Sequence, residues 1–314
     1  MNTLLIGAGY MAREYAKVLV AQNKTFTVIG RSETKVNEFK ELLPGAEAFA
    51  GGIDAYLNAH KAAEFAIVAS NVESLYANTH LLIEKGCKHI LVEKPAALEL
   101  HELKHLHKLA TQNNASVYIA YNRRFYQSVA QVKKLIEQDG GILSAHFEFT
   151  EWVHTIDPAA YSKEALAKWV ISNSTHVIDL VFSLIGKPSV LHVFVNDQSI
   201  PWHPSGAIFT GAGMSEKQVP FTYHSNWKSA GRWSIEFLTA ENKYIFAPME
   251  KLQIQKRGTV KVEPLETDYS RDNDYKPGLF DMAEAFFKND TSVLCSLEQH
   301  LEHFPVYNQM AGYN

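Results

Sequence analysis

Residues 89–98 read HILVEKPAAL. An apolar run, Ile90-Leu91-Val92, ends in a carboxylate, an amine and a proline: Glu93-Lys94-Pro95. The run has the pattern of a buried strand, and ligands of open parallel sheets bind beyond the carboxyl ends of the strands. An amine placed there and partly desolvated has its pKa drawn down toward the range useful for proton transfer. The competing reading is a strand that ends at the surface with a solvated lysine.

A second pattern stands at the N-terminus, where GAGYMA (7–12) follows an apolar run and opens a helical stretch. This is G-x-G-x-x-A. Gly7 permits the tight turn, Gly9 lets backbone approach a pyrophosphate, and Ala12 lets helix and strand pack closely. The helix N-terminus offers free N–H groups and a positive dipole end to phosphates. The competing reading is a strand–helix turn with no ligand. The next strand ends Ile29-Gly30-Arg31-Ser32, with no acid to bind a ribose 2′-hydroxyl. Arg31 can instead grip a 2′-phosphate bidentately, with Ser32 and Lys35 in reach. NADP(H) is therefore the preferred cofactor and NAD(H) the alternative, for which Glu33 is the best argument.

HELKH (101–105) satisfies the zinc-protease pattern H-E-x-x-H. The helix carrying it, over 98–113, has Leu103, Leu106 and Ala110 as its buried stripe. His101, His105, Lys108 and Gln112 form the opposite, wet stripe. No metal is expected.

These residues need elements to hold them. Apolar strands at 3–9, 26–30, 65–70, 89–93 and 117–121, with a weaker one at 47–49, alternate with helices at 11–22, 34–43, 75–85 and 98–113. That order predicts a doubly wound parallel sheet covered on both faces. The character changes at Tyr121-Asn122. After a helix over 125–138 come short strands with turn signals, at 142–152 and repeatedly from Ser189 onward. Helices are expected at 175–184, 279–287 and 296–309. The fold class is thus α/β: an N-terminal doubly wound domain (1–121) and a second domain (122–314) with an antiparallel or mixed sheet.

The totals agree with a globular protein. The chain has 314 residues, 46% hydrophobic and 20% charged, with a net charge of −4. Nothing in that balance recommends nucleic acid or a membrane surface as partner. Cys87 and Cys295 lie far apart, which fits a reducing compartment rather than a disulfide framework. No signal peptide or membrane span is visible, so a cytoplasmic location is expected.

The order of signals is specific when taken together. GAGYMA is followed by Asn78-Thr79-His80 and Lys85-Gly86, then Glu93-Lys94-Pro95, Tyr121-Asn122-Arg123-Arg124-Phe125 and finally Asn173-Ser174-Thr175-His176-Val177-Ile178-Asp179-Leu180. Over roughly residues 1–185 the chain resembles the Gfo/Idh/MocA oxidoreductases. That resemblance implies an N-terminal Rossmann domain, a C-terminal α+β domain built on an open, mostly antiparallel sheet, and a nicotinamide held in the cleft between the two. It implies a sugar, sugar-nucleotide or polyol-like substrate, and dimers or tetramers formed through the C-terminal sheet. Lys94 matches the family's catalytic lysine and His176 its active-site histidine; Asp179 is expected to cap or pair rather than react. Cofactor contacts are expected from Gly7, Gly9, Tyr10, Met11, Ala12, Arg31, Ser32, Ser70, Asn71, Glu93 and Lys94. Substrate contacts are expected from Tyr121, Arg123, Trp169, Asn173 and His176. Trp152, His154, Trp202, His203 and Arg232 are further pocket candidates. One departure matters: many members carry an aspartate four residues before the histidine, and here that position is Ser172. It keeps open the alternative of a non-catalytic, nucleotide-binding regulatory protein on the same fold.

Overall fold

The computed structural model describes residues 2–313, which group into two compact units: 2–121 with 274–302, and 122–273 with 303–313. The first unit begins with β1 (Asn2–Ile6), α1 (Tyr10–Ala21), β2 (Thr25–Gly30), α2 (Glu33–Leu42), β3 (Glu47–Ala50) and α3 (Gly52–Ala59). It continues with β4 (Phe65–Val68), α4 (Val72–Glu84), β5 (His89–Val92), α5 (Leu100–Asn113) and β6 (Ser116–Ile119). The six strands run parallel in the order β6-β5-β4-β1-β2-β3. The chain winds outward from β1 through β2 and β3, then crosses to β4 on the other side. The carboxyl ends of β1 and β4 are therefore the switch point where such sheets open a crevice.

The strands read as unbroken apolar runs because both faces are covered. Leu4, Leu5, Ile67, Val68, Ile90, Leu91 and Val92 are fully buried. Each such side chain contributes about 1.5–3 kcal/mol relative to an exposed one. Helix α3 lies outside the helices expected from the sequence. It starts after Gly51, at φ +113, and on Gly52, at φ +87, so the glycines that look like a loop signal are the entry turn.

The second unit carries α6 (Gln127–Gln138), β7 (Ser144–Glu148), α7 (Lys163–Ala167), α8 (Thr175–Ile185), β8 (Pro188–Asn196), β9 (Ile208–Ser215) and β10 (Pro220–Asn226). β11 (Ser234–Leu238), β12 (Asn242–Phe246), β13 (Leu252–Lys256) and β14 (Val262–Pro264) complete its sheet. The order is β14-β13-β12-β11-β7-β10-β9-β8, antiparallel throughout except for β7 beside β10. Alternation sorts the faces: in β10, Phe221, Tyr223 and Ser225 are buried, while Pro220, Thr222 and His224 are exposed. Helix α8 covers the buried face, with Phe182 edge-on to Phe147 and Phe221 at 6.1 and 5.5 Å. The opposite face presents Val190 and Phe194, 50% and 71% exposed.

After α9 (Ser270–Asp274) the chain returns to the first unit with α10 (Leu279–Lys288), β15 (Cys295–Ser296) and the start of α11 (Leu297–Ala311). Cys295 pairs antiparallel with Ile119, so β15 closes the β6 edge. Phe286 of α10 packs edge-on to Phe65 at 5.6 Å and Tyr118 at 6.3 Å. Cys87 and Cys295 are buried free thiols, and burial pushes the Cys87 thiol up to about 12. No helix among the described residues is long and apolar enough to cross a membrane.

Candidate active site

The glycine loop is shaped by what its residues lack. Gly7 follows β1 at φ +122, and a Cβ there would collide with the Ala69 carbonyl after β4. Gly9 caps α1, and a Cβ on it would meet nothing within 4 Å. No side chain caps α1 and no acid stands in its first turn, so its free N–H groups and dipole are left for an anion. Gly7→Ala is expected to cost about 2–5 kcal/mol in strain and overpacking. Gly9→Ala is expected to fold normally but weaken nucleotide binding by about tenfold. Thermal unfolding by circular dichroism beside a nucleotide titration checks both; equal melting of the two variants would refute the distinction.

The loop opens on a cavity of about 470 Å³. Gly7, Gly9, Tyr10, Met11, Arg31, Ser32, Ser70 and Asn71 line it, as do Lys35, Gly52, Ile53 and Asn78. Ala12 does not; it is fully buried beneath the loop. Glu93 and Lys94 are also outside the lining. None of the lining residues is acidic. Asn78 donates to Ser70 Oγ at 2.9 Å. Ser32 Oγ accepts from the Lys35 amide at 3.5 Å as the cap of α2, and Lys35 Nζ is paired with Glu38 at 2.9 Å. Arg31 is exposed and has no carboxylate partner among the described residues. The loop, the open space over Gly9 and the uncapped helix fit a dinucleotide whose pyrophosphate lies at α1.

Lys94 sits just past β5, half-buried, in a turn closed by the Ala96 amide donating to Glu93 O at 3.0 Å. Glu93 accepts from the Tyr15 hydroxyl at 3.0 Å. Burial pushes the Glu93 carboxyl up, while the charges of Lys94 and Lys276 oppose that shift. Behind the turn stands His300 of α11, fully buried, with Nε2 3.0 Å from Pro95 O. A carbonyl can only accept, so Nε2 donates to it, and the Tyr121 hydroxyl lies 3.4 Å from Nδ1. Tyr121 is thus buried against this brace. Nothing local marks His300 as a support for Lys94; only the returning chain brings it there.

In the second unit, Val170–Ser174 form a wider π-type turn that runs into α8, a distortion frequent at functional sites. His176 lies on the first turn of α8, 8% exposed, with its ring 6.2 Å from that of Trp233. Asp179, one turn on, is fully buried and takes a two-pronged bond from Arg124, Nε to Oδ2 at 2.7 Å and Nη2 to Oδ1 at 2.6 Å. Ser172 is turned to backbone, donating to Ala165 O at 2.8 Å. Asn173 donates to Glu151 Oε1 at 2.9 Å and Ser174 Oγ to the same oxygen at 2.6 Å. Glu151, 3% exposed, also faces Arg232 at 3.5 Å. Sequence reasoning passed over Glu151 because Thr150-Glu151-Trp152 reads as the end of a strand. Arg123 lies over the Trp233 ring at 4.7 Å. Trp169 is buried edge-on between Tyr161 and Trp202, at 4.9 and 5.7 Å. His203 is fully buried, bonded to Gly206 O and the Tyr313 hydroxyl at 2.7 Å each, and burial lowers its pKa to about 4.

The H-E-x-x-H histidines are both exposed on α5, whose buried residues are Leu103, Leu106 and Ala110. His105 Nδ1 is 2.7 Å from the Tyr76 hydroxyl. Among the described residues no group of three or more His, Cys, Asp or Glu could hold a metal ion.

Residues 1–121 match the Gfo/Idh/MocA model, described as an oxidoreductase family with an NAD-binding Rossmann fold. No curated protein matches the chain by sequence. Among solved structures, UDP-N-acetylglucosamine 3-dehydrogenase GnnA from Acidithiobacillus ferrooxidans is similar at 17% identity, with 99% of this chain and 96% of that one covered and a TM-score of 0.76. Levoglucosan dehydrogenase in complex with NADH and L-sorbose is similar at 18% identity, covering 99% and 95%, with a TM-score of 0.79. An oxidoreductase from Agrobacterium radiobacter in complex with NAD+, L-tartaric acid and magnesium is similar at 14% identity, covering 98% and 94%, with a TM-score of 0.78. These likenesses establish a shared fold across both units. Residues 1–121, which carry the glycine loop and the parallel sheet, are thus similar to the NAD-binding Rossmann domain of the Gfo/Idh/MocA oxidoreductases.

Proposed function

We propose that this protein is an NADP(H)-preferring oxidoreductase. It transfers hydride to or from a carbinol or carbonyl carbon of a sugar, sugar nucleotide or polyol-like substrate. The observation that carries the reading is Lys94, half-buried and braced at the carboxyl end of β5, in the same sheet whose β1–α1 loop opens the nucleotide cavity. A bound nicotinamide supplies or accepts the hydride. The protein's part is to manage the proton: Lys94 gives it to, or takes it from, the reacting oxygen, and His176 assists or orients a hydroxyl. Support for the substrate class comes from the structural relatives, one acting on a sugar nucleotide and another bound to L-sorbose. Arg123, Asn173 and Trp169 are assigned to the substrate, and residues 122–314 to substrate binding and assembly. The exposed β8 face, with Val190 and Phe194, is the proposed surface for a homo-dimer or tetramer. The proposed location is cytoplasmic.

The NADP(H) preference rests on a cavity with no acid in its lining and an unpaired Arg31 at its rim. Titration with NADPH and NADH is expected to give tighter NADPH binding. Arg31→Ala is expected to weaken NADPH by about 10- to 100-fold, the loss of one charge-assisted contact, and to leave NADH nearly unchanged. Equal losses would remove the preference and leave the oxidoreductase reading intact.

A non-catalytic nucleotide-binding role on the same fold is favoured by one observation. Ser172, at the position of the family's aspartate, is buried and bonded to backbone. Hydride transfer that depends on Lys94 excludes it.

A further inference from the structure

Three guanidinium groups and two carboxylates meet around the start of α8. Two of each are matched: Arg124 with Asp179, and Arg232 with Glu151. Arg123 is the surplus. Among the described residues no carboxylate pairs with it; its side chain bonds only to Asn122 Oδ1, at 3.5 Å, and its Nε is buried without a partner. What holds it is aromatic, with Trp233 at 4.7 Å and Tyr126 at 6.0 Å from the guanidinium. Arg232 rests on the same Trp233 at 5.1 Å and on Trp152 at 4.8 Å. Asp272 accepts from the Gln127 amide at 2.9 Å; burial pushes the Tyr126 hydroxyl up, Arg123 opposes that shift, and the charges of Glu250 and Asp272 add to it.

An aromatic face attracts a guanidinium but does not neutralise it, and it leaves the planar N–H fork open at the edge. A half-buried cation fixed by two rings is set up to take an oxyanion in bidentate fashion. The imidazole of His176 packs near the other flank of the arrangement, 6.2 Å from Trp233. We infer that Arg123 anchors a negatively charged group of the substrate, a carboxylate or a phosphoryl group, so that this protein acts on an anionic rather than a neutral sugar. The inference rests on the sugar oxidoreductase reading above.

Calorimetric titration with D-glucuronate, UDP-glucose and D-glucose, under saturating NADPH, tests it. At least one of the two anions is expected to bind more tightly than D-glucose. Arg123→Gln is expected to weaken that anion about 10- to 100-fold. Tighter glucuronate identifies a carboxylate as the anchored group, and tighter UDP-glucose a phosphoryl group. Should Arg123→Gln not fold, Arg123→Lys serves: it keeps the charge, loses the fork, and is expected to weaken the anion several-fold without touching D-glucose. Anion binding equal in wild type and folded variant overturns the inference, as does D-glucose binding as tightly as both anions. NADPH binding with neither anion bound removes the inference and leaves the oxidoreductase standing. Anions held through Arg123 by a protein that does not bind NADPH would do the reverse.

Discussion

Lys94→Ala is expected to lower the rate of hydride transfer by about 10²- to 10⁴-fold, the usual contribution of a positioned general acid–base group. That is a loss of roughly 3–5 kcal/mol of transition-state stabilisation. Nucleotide affinity should change little, because Lys94 is outside the cavity lining. A single-turnover measurement of nicotinamide absorbance separates chemistry from binding. Lys94→Arg sharpens the result: it keeps a positive charge but cannot give up its proton near neutral pH. An inactive Lys94→Arg protein assigns Lys94 to proton transfer, whereas an active one reduces it to electrostatics. Full activity of Lys94→Ala would remove the amine from the chemistry and leave it as the lysine that ends β5.

The second large effect is on stability. Asp179→Ala leaves the Arg124 guanidinium, 4% exposed, without its carboxylate. Removing one member of a buried pair costs about 3–5 kcal/mol, because the partner stays charged and desolvated. Replacing both, as Arg124→Met with Asp179→Leu, is expected to recover most of that loss, since the pair's attraction only offsets its own desolvation. The readout is favourable. All five tryptophans, Trp152, Trp169, Trp202, Trp227 and Trp233, belong to the second unit, so fluorescence in urea follows that unit alone. A double variant as unstable as Asp179→Ala would show that the pair organises the turn before α8 as well as balancing charge.

How far the sequence could be read follows from how local each signal is. The glycine loop, β5 and α5 announce themselves within a dozen residues, through apolar runs and helical spacing, and stand where expected. Helix α3 hides behind Gly51 and Gly52. β15 is only two residues long, and nothing in Cys295-Ser296 carries strand periodicity. The site's supports are harder still. His300 reaches Pro95, Arg124 reaches Asp179, and Glu151 gathers Asn173, Ser174 and Arg232. Each of these pairings joins residues far apart in the chain, so residue type alone says that a partner exists without saying which. Arg123 shows the limit plainly: NRRF marks two arginines, and only three-dimensional pairing reveals that one is neutralised and the other is not.

The return of β15 to the β6 edge also sets a schedule for synthesis. Ile119 leaves the ribosome long before Cys295, its partner in the sheet. At about 5–20 residues per second, the interval is roughly 10 to 35 s. Throughout it, the nascent β6 edge shows unpaired backbone N–H and C=O groups, with Tyr118 still lacking the cover of Phe286. A sheet edge in that state is open to pairing with other chains, and the first unit becomes complete only after almost all of the second has been made.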